Sequence, residues 1–132
     1  MVWENIYNTN IEVIDNQHKA YVATLNKLYE AIELPESIDK LNEIFQRLAD
    51  YIHFHFATEE KYFAEFNYEG ATEHIAAHNK FKRQIAEYQG KLSRGEIDFT
   101  NDLVEYLDDW LANHVMDLDR KYIICFKEHG LK

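Results

Sequence analysis

Hydrophobic positions recur along this chain in alternating steps of three and four, the period of a helix that buries one face. From Asp15 to Glu33 the apolar stripe is Val22, Leu25, Leu28 and Ile32, with His18 on the same line and Asp15 placed to cap the helix. A second stripe runs Leu41, Phe45, Leu48, Ile52, His55, Glu59, Tyr62 and Phe66, and predicts a helix opened by Ser37 or Asp39. The third, His74, His78, Phe81, Ile85, Tyr88 and Leu92, predicts a helix from Ala71 or Thr72 to near Ser93. The fourth begins after Thr100 with Leu103, Leu107, Trp110, His114 and Leu118, and Asp119 follows. Residues 1–14 read as an extended arm, and residues 120–132 as a short further helix or an irregular cap. Breakers are scarce, with one Pro and four Gly, and Pro35 marks the first interruption. The expected fold is all-α: an up-down-up-down four-helix bundle with an N-terminal arm and a short C-terminal segment, forming one domain over residues 1–132.

Ionisable residues interrupt the stripes where apolar ones are expected. His55 with Glu59, and His74 with His78, are spaced i, i+4, which places each pair on one helical face. His18, His114 and Asp119 lie on or beside the other two stripes. Taken singly, each reads as a hydrogen-bonded core residue. Taken together over four helices, five imidazoles and two carboxylates facing one interior read as a metal site, because buried ionisable groups need partners. That set is too large for one tetrahedral zinc and suits two ions sharing carboxylates. Imidazole suits several metals, so ligand type alone leaves the metal open.

Charge narrows the partners. The net charge is −10, from 24 acidic against 14 basic residues. That argues against nucleic acid and against anionic membrane surfaces. No run approaches the length of a membrane span, and the first residues lack the pattern of a secretory signal. The single cysteine, Cys125, excludes an internal disulfide. A cytoplasmic protein is the expectation.

The stretches IDNQHK, HFATEE, HIAAH and WLANHVMDLD resemble the hemerythrin family, in particular its short single-domain bacterial members. The resemblance covers nearly the whole chain and matches all seven ligand positions in order. It implies a non-heme centre of two Fe ions (Fe2+/Fe3+) with an oxo or hydroxo bridge, which binds O2 reversibly. By this resemblance His74, His78 and His114 hold one iron. His18 and His55 hold the other, which keeps one position open, and Glu59 and Asp119 bridge the two. The matching pocket residues are Phe56, Trp110, Leu111 and Val115. Tyr21 stands where the family usually has Leu, placing a phenol beside the open position.

The implied function is carriage, storage or delivery of O2 without catalysis, the recipient protein being unknown. The alternatives are a sensor of O2, NO or redox state that acts through a separate partner, and a di-iron oxidase or peroxidase. Mostly neutral imidazoles favour O2 carriage over activation, since they place less negative charge on the metal than a carboxylate-rich set does. Four other groups are expected to stand apart from the site. His53 points away from the stripe, Glu60 is a solvated charge, His129 has nothing to recruit it, and Cys125 is a small buried hydrophobe.

Overall fold

The computed structural model describes residues 2–33, 37–96 and 99–132. The break expected at Pro35 lies outside them. Among the described residues there are no strands. The elements are a 3-10 turn Asn5–Tyr7, then α1 Glu12–Glu33, α2 Ile38–Glu65, α3 Ala71–Ser93, α4 Asn101–Met116 and α5 Leu118–Glu128. The first four α-helices form the bundle. Helix α1 packs against α2 and α4, α2 packs against α3, and α5 folds back beside α4.

Two helix starts are where cap chemistry puts them. Ser37 accepts a hydrogen bond from the Lys40 amide, and Thr100 accepts one from the Leu103 amide. The start of α1 is different. Asp15 lies inside the first turn rather than capping it, and its carboxylate accepts from the Thr9 amide, the Thr9 hydroxyl and the Asn10 amide. Thr9 in turn accepts from the Ile11 amide. This knot holds Asn10 at φ 62°, a left-handed conformation that Asn tolerates. The arm is therefore less extended than expected. It makes a 3-10 turn, and Ile11 and Ile14 are fully buried.

The second difference is at the end of α4. The stripe suggested that α4 continues through Asp119, but the backbone breaks at Asp117 (φ −112°, ψ −84°) and restarts as α5. The tail is a packed helix with Tyr122 and Phe126 completely buried. Both chain ends are tied down. Arg120 donates to the Asn8 carbonyl at 2.8 Å, and the Glu12 amide donates to the Lys132 carbonyl at 3.1 Å.

Two apolar clusters result. The larger contains Val22, Leu25, Leu28, Phe45, Leu48, Ile52, Phe81, Ile85, Leu103 and Leu107. The smaller contains Ile11, Ile14, Phe63, Tyr122 and Phe126. On α1 and α2 ionisable residues fall between them: His18 between Ile14 and Val22, and Glu59 between Phe56 and Phe63. A polar layer is thus closed above and below by hydrocarbon.

Candidate metal centre

Each wall of the layer is contributed by a helix. His18 comes from α1, His55 and Glu59 from α2, His74 and His78 from α3, His114 from α4 and Asp119 from α5. All seven are buried, and His18, Glu59, His78 and Asp119 are completely so. The break at Asp117 explains how an i, i+5 pair can converge. It swings Asp119 back onto His114, with Oδ1 3.1 Å from His114 Nε2.

The donors form two overlapping groups, Glu59 with His74, His78 and His114, and His18 with His55, Glu59 and Asp119, the ligand atoms in each lying within 4.8 Å of one another. Each carboxylate stands between the groups. Glu59 Oε1 is 3.1 Å from His55 Nε2 and 3.3 Å from His78 Nε2. Asp119 Oδ2 is 3.1 Å from His18 Nε2, while its Oδ1 is 3.1 Å from His74 Nε2. His74 Nε2 and His114 Nε2 face each other at 2.9 Å.

Apart from His74 Nε2 and His114 Nε2, which face each other, the converging atoms are left unsatisfied by the described residues. Among the described residues, Nε2 of His18, His55 and His78 and both oxygens of Glu59 and of Asp119 have no hydrogen-bond partner. Buried polar atoms left so cost about 1–3 kcal/mol each. Cations held by those lone pairs satisfy the whole set at once, so the residues fit a metal centre.

The electrostatics follow from mutual proximity. Burial and the Asp119 charge raise the Glu59 carboxyl, but His55 and His78 outweigh them and hold it below the carboxylate range. Burial also opposes ionisation of Asp119, and His114, His18 and His74 override it. Burial lowers His55 and His114, yet the two carboxylates raise both imidazoles above their ordinary value.

Two of the outer ring nitrogens have partners of their own, whereas Nδ1 of His18 and of His74 have none among the described residues. His55 Nδ1 donates to Gln17 Oε1 at 2.7 Å, and His78 Nδ1 donates to Glu60 Oε2 at 2.9 Å. Glu60 is therefore not the solvated charge the sequence suggested. Tyr122 was also missed. Its ring stacks on His74 at 5.6 Å, and burial, then Asp119 and Glu59, push its hydroxyl well above the ordinary phenol value. Contacts across helices reveal these roles, and helical periodicity carries no signal of them.

Aromatic rings line the layer. Phe56 lies flat on His78 with centroids 3.8 Å apart, and Trp110 stacks on His114 at 4.5 Å and on Phe81 at 3.6 Å. Leu111 and Val115 are buried beside them. Tyr21 is buried and donates its hydroxyl to the Leu107 carbonyl at 3.3 Å; burial, then Asp108 and Tyr106, raise its pKa. His53 is exposed. His129, expected to be unrecruited, stacks on Phe66 at 4.6 Å and donates from Nδ1 to the Cys125 carbonyl. Cys125 is partly rather than fully buried. Among the described residues no helix is long and apolar enough to cross a membrane.

Comparison with known proteins agrees with this geometry. The family model of the hemerythrin HHE cation binding domain matches residues 9–123. A bacteriohemerythrin of Pseudomonas aeruginosa (strain LESB58) is 36% identical over 123 residues, covering 93% of this chain and 79% of that protein. One from Stenotrophomonas maltophilia (strain R551-3) is 33% identical over 129 residues, covering 98% and 83%. A crystal structure of wild-type hemerythrin superposes with a TM-score of 0.90 at 29% identity, covering 95% of this chain and 96% of that one.

Proposed function

The chain belongs to the hemerythrin family, and from that premise we propose that it carries, stores or delivers O2 by binding it reversibly at a non-heme di-iron centre. One observation carries the reading: five imidazoles and two carboxylates converge in one buried layer, with Nε2 of His18, His55 and His78 and all four carboxylate oxygens left without hydrogen-bond partners among the described residues. In this reading His74, His78 and His114 hold one iron, His18 and His55 hold the other, and Glu59 and Asp119 serve both. When bound, two iron ions joined by an oxo or hydroxo bridge supply the electrons on which reversible O2 binding draws.

The chain's own residues do the rest. His18 and His55 would provide one imidazole fewer than the opposite group, so O2 would be expected on their side. Gln17 and Glu60 hold the outer protons of His55 and His78, which turns the Nε2 lone pairs of both rings inward. Phe56, Trp110, Leu111 and Val115 wall the site with carbon and keep bulk water out. Two carboxylates among five neutral imidazoles keep the negative charge on the metals low, which favours binding over oxidative catalysis.

The test is the visible spectrum of the iron-loaded chain, reduced without air, exposed to O2 and then purged with inert gas. A charge-transfer band that appears with O2 and disappears on purging is expected. Immediate conversion to the fully oxidised form without such a band would overturn the carrier reading, and failure to load iron would overturn the metal assignment.

A further inference from the structure

The two groups of donors differ in what stands behind them. Behind His78 is a carboxylate: Glu60 Oε2 accepts from Nδ1 at 2.9 Å, and Lys82 Nζ lies 4.0 Å from the same oxygen. Behind His55 is a neutral amide, because Gln17 Oε1 accepts from Nδ1 at 2.7 Å. The orientation of that amide is fixed by a chain of donors. The Thr58 hydroxyl donates to the Phe54 carbonyl at 3.1 Å, so its oxygen accepts from Gln17 Nε2, also at 3.1 Å. Gln17 therefore has only its oxygen left for His55. Both rings carry their proton outward and present Nε2 to the centre, but one is backed by a negative charge and the other by a dipole.

Glu59 and Asp119 lie between the groups and serve both. They do not distinguish the two positions. What does distinguish them is three imidazoles against two, and an anion against an amide behind one ring on each side. A carboxylate behind a ligating imidazole makes it a stronger donor, and loss of such an outer partner costs about 10–100-fold in metal affinity.

We propose that Glu60 and Gln17 are positioning residues that grade the two metal positions, so that the His74, His78 and His114 position retains its ion more tightly and the His18 and His55 position gives its ion up first. This rests on the two-metal reading above. It makes the position nearest the expected O2 side also the exchangeable one.

The experiment is an equilibrium competition. The chain loaded with Fe(II), kept without air, is brought to equilibrium with increasing EDTA, and the iron retained per chain is counted. The same series is run on Glu60→Gln and on Gln17→Leu, with far-UV circular dichroism recorded at each point. The wild type is expected to release iron in two waves of one equivalent each. Glu60→Gln should move the later wave to lower EDTA by about 10-fold or more and leave the earlier one in place. Gln17→Leu should move only the earlier wave. A purely structural role would shift both waves together, and that result overturns the proposal, as does a single wave of two equivalents in the wild type. Two equivalents released together would leave the di-iron reading intact, whereas fewer than two equivalents at the start would remove that reading itself.

Discussion

At the scale of single residues, the side chain that departs most from its surroundings is Tyr21. It places a hydroxyl in the larger apolar cluster, and its bond to the Leu107 carbonyl is 3.3 Å, long for an O–H···O contact. A donor held so loosely remains available to a second acceptor. Burial holds the phenol in its protonated form, so it offers a hydrogen bond and no charge. On the O2-binding reading, the wild type should autoxidise faster than Tyr21→Leu. Tyr21→Phe, which removes only the oxygen, should match the Leu variant. Both are read from the decay of the oxygenated absorption band in air, and equal or slower decay in the wild type would count against a role for the hydroxyl. The stability cost of Tyr21→Phe should be only about 1 kcal/mol, the usual worth of one hydrogen bond.

At the scale of elements, the caps and the α4–α5 break make different demands. Ser37 and Thr100 each satisfy one amide at an exposed helix start, so Ser37→Ala and Thr100→Ala should cost about 1 kcal/mol apiece in urea unfolding. Asp15 accepts three hydrogen bonds in a buried knot, and Asp15→Ala should cost about 3 kcal/mol, because the amides it satisfies are left dry. Helix α5 is held by Tyr122 and Phe126 in the smaller apolar cluster, and it carries Asp119. Phe126→Ala should therefore cost about 3–5 kcal/mol. It should also loosen metal retention under chelator although Phe126 is not a donor, whereas Phe126→Leu should do less of both. These elements also mark what could be read in advance. The starts of α2 and α4 were legible because the Ser37 and Thr100 side chains set them, and the bounds of α3 because its apolar stripe runs its whole length. So were the five imidazoles and Glu59, since each lies on a helical stripe, whereas Asp119 lies one residue past one. The break at Asp117 was legible only through the awkward i, i+5 spacing of His114 and Asp119, because DLDRKYIICF carries no Pro or Gly. What ends α4 there is the burial of Tyr122 and Phe126 on the neighbouring cluster, a tertiary cause. Phe63, fully buried in the smaller cluster, was left off the predicted stripe for a similar reason. It lies one position beyond Tyr62 on the predicted stripe, and the stripe drifts because the smaller cluster faces α2 from a different angle than the larger one.

At the scale of the whole molecule, metal-free and metal-loaded states should respond to pH in opposite directions. In the metal-free chain the buried layer is held by imidazoles and carboxylates alone. His55 and His114 have raised values, so their contribution is full below the ordinary imidazole value and is lost as pH rises through the raised one. Glu59 and Asp119 have lowered values, so their contribution is full above the ordinary carboxylate range and is lost as pH falls through the lowered ones. The metal-free chain should therefore be most stable between about pH 4.5 and 6.5 and weaken above that window. Metal binding requires bare Nε2 lone pairs and releases protons, so the stabilisation given by metal grows with pH over the same range. Thermal unfolding of both states at intervals from about pH 5 to 8.5 should show the gap in Tm widening steadily. The net charge of −10 also opposes folding more as pH rises, and it must be separated from the layer. Added salt does so, because it screens exposed charges and leaves a fully buried cluster almost untouched. The slope for the metal-free chain should therefore persist at high salt. A metal-free chain more stable at pH 8 than at 5.5 would mean that the layer is not held together by charged imidazoles when the metal is gone.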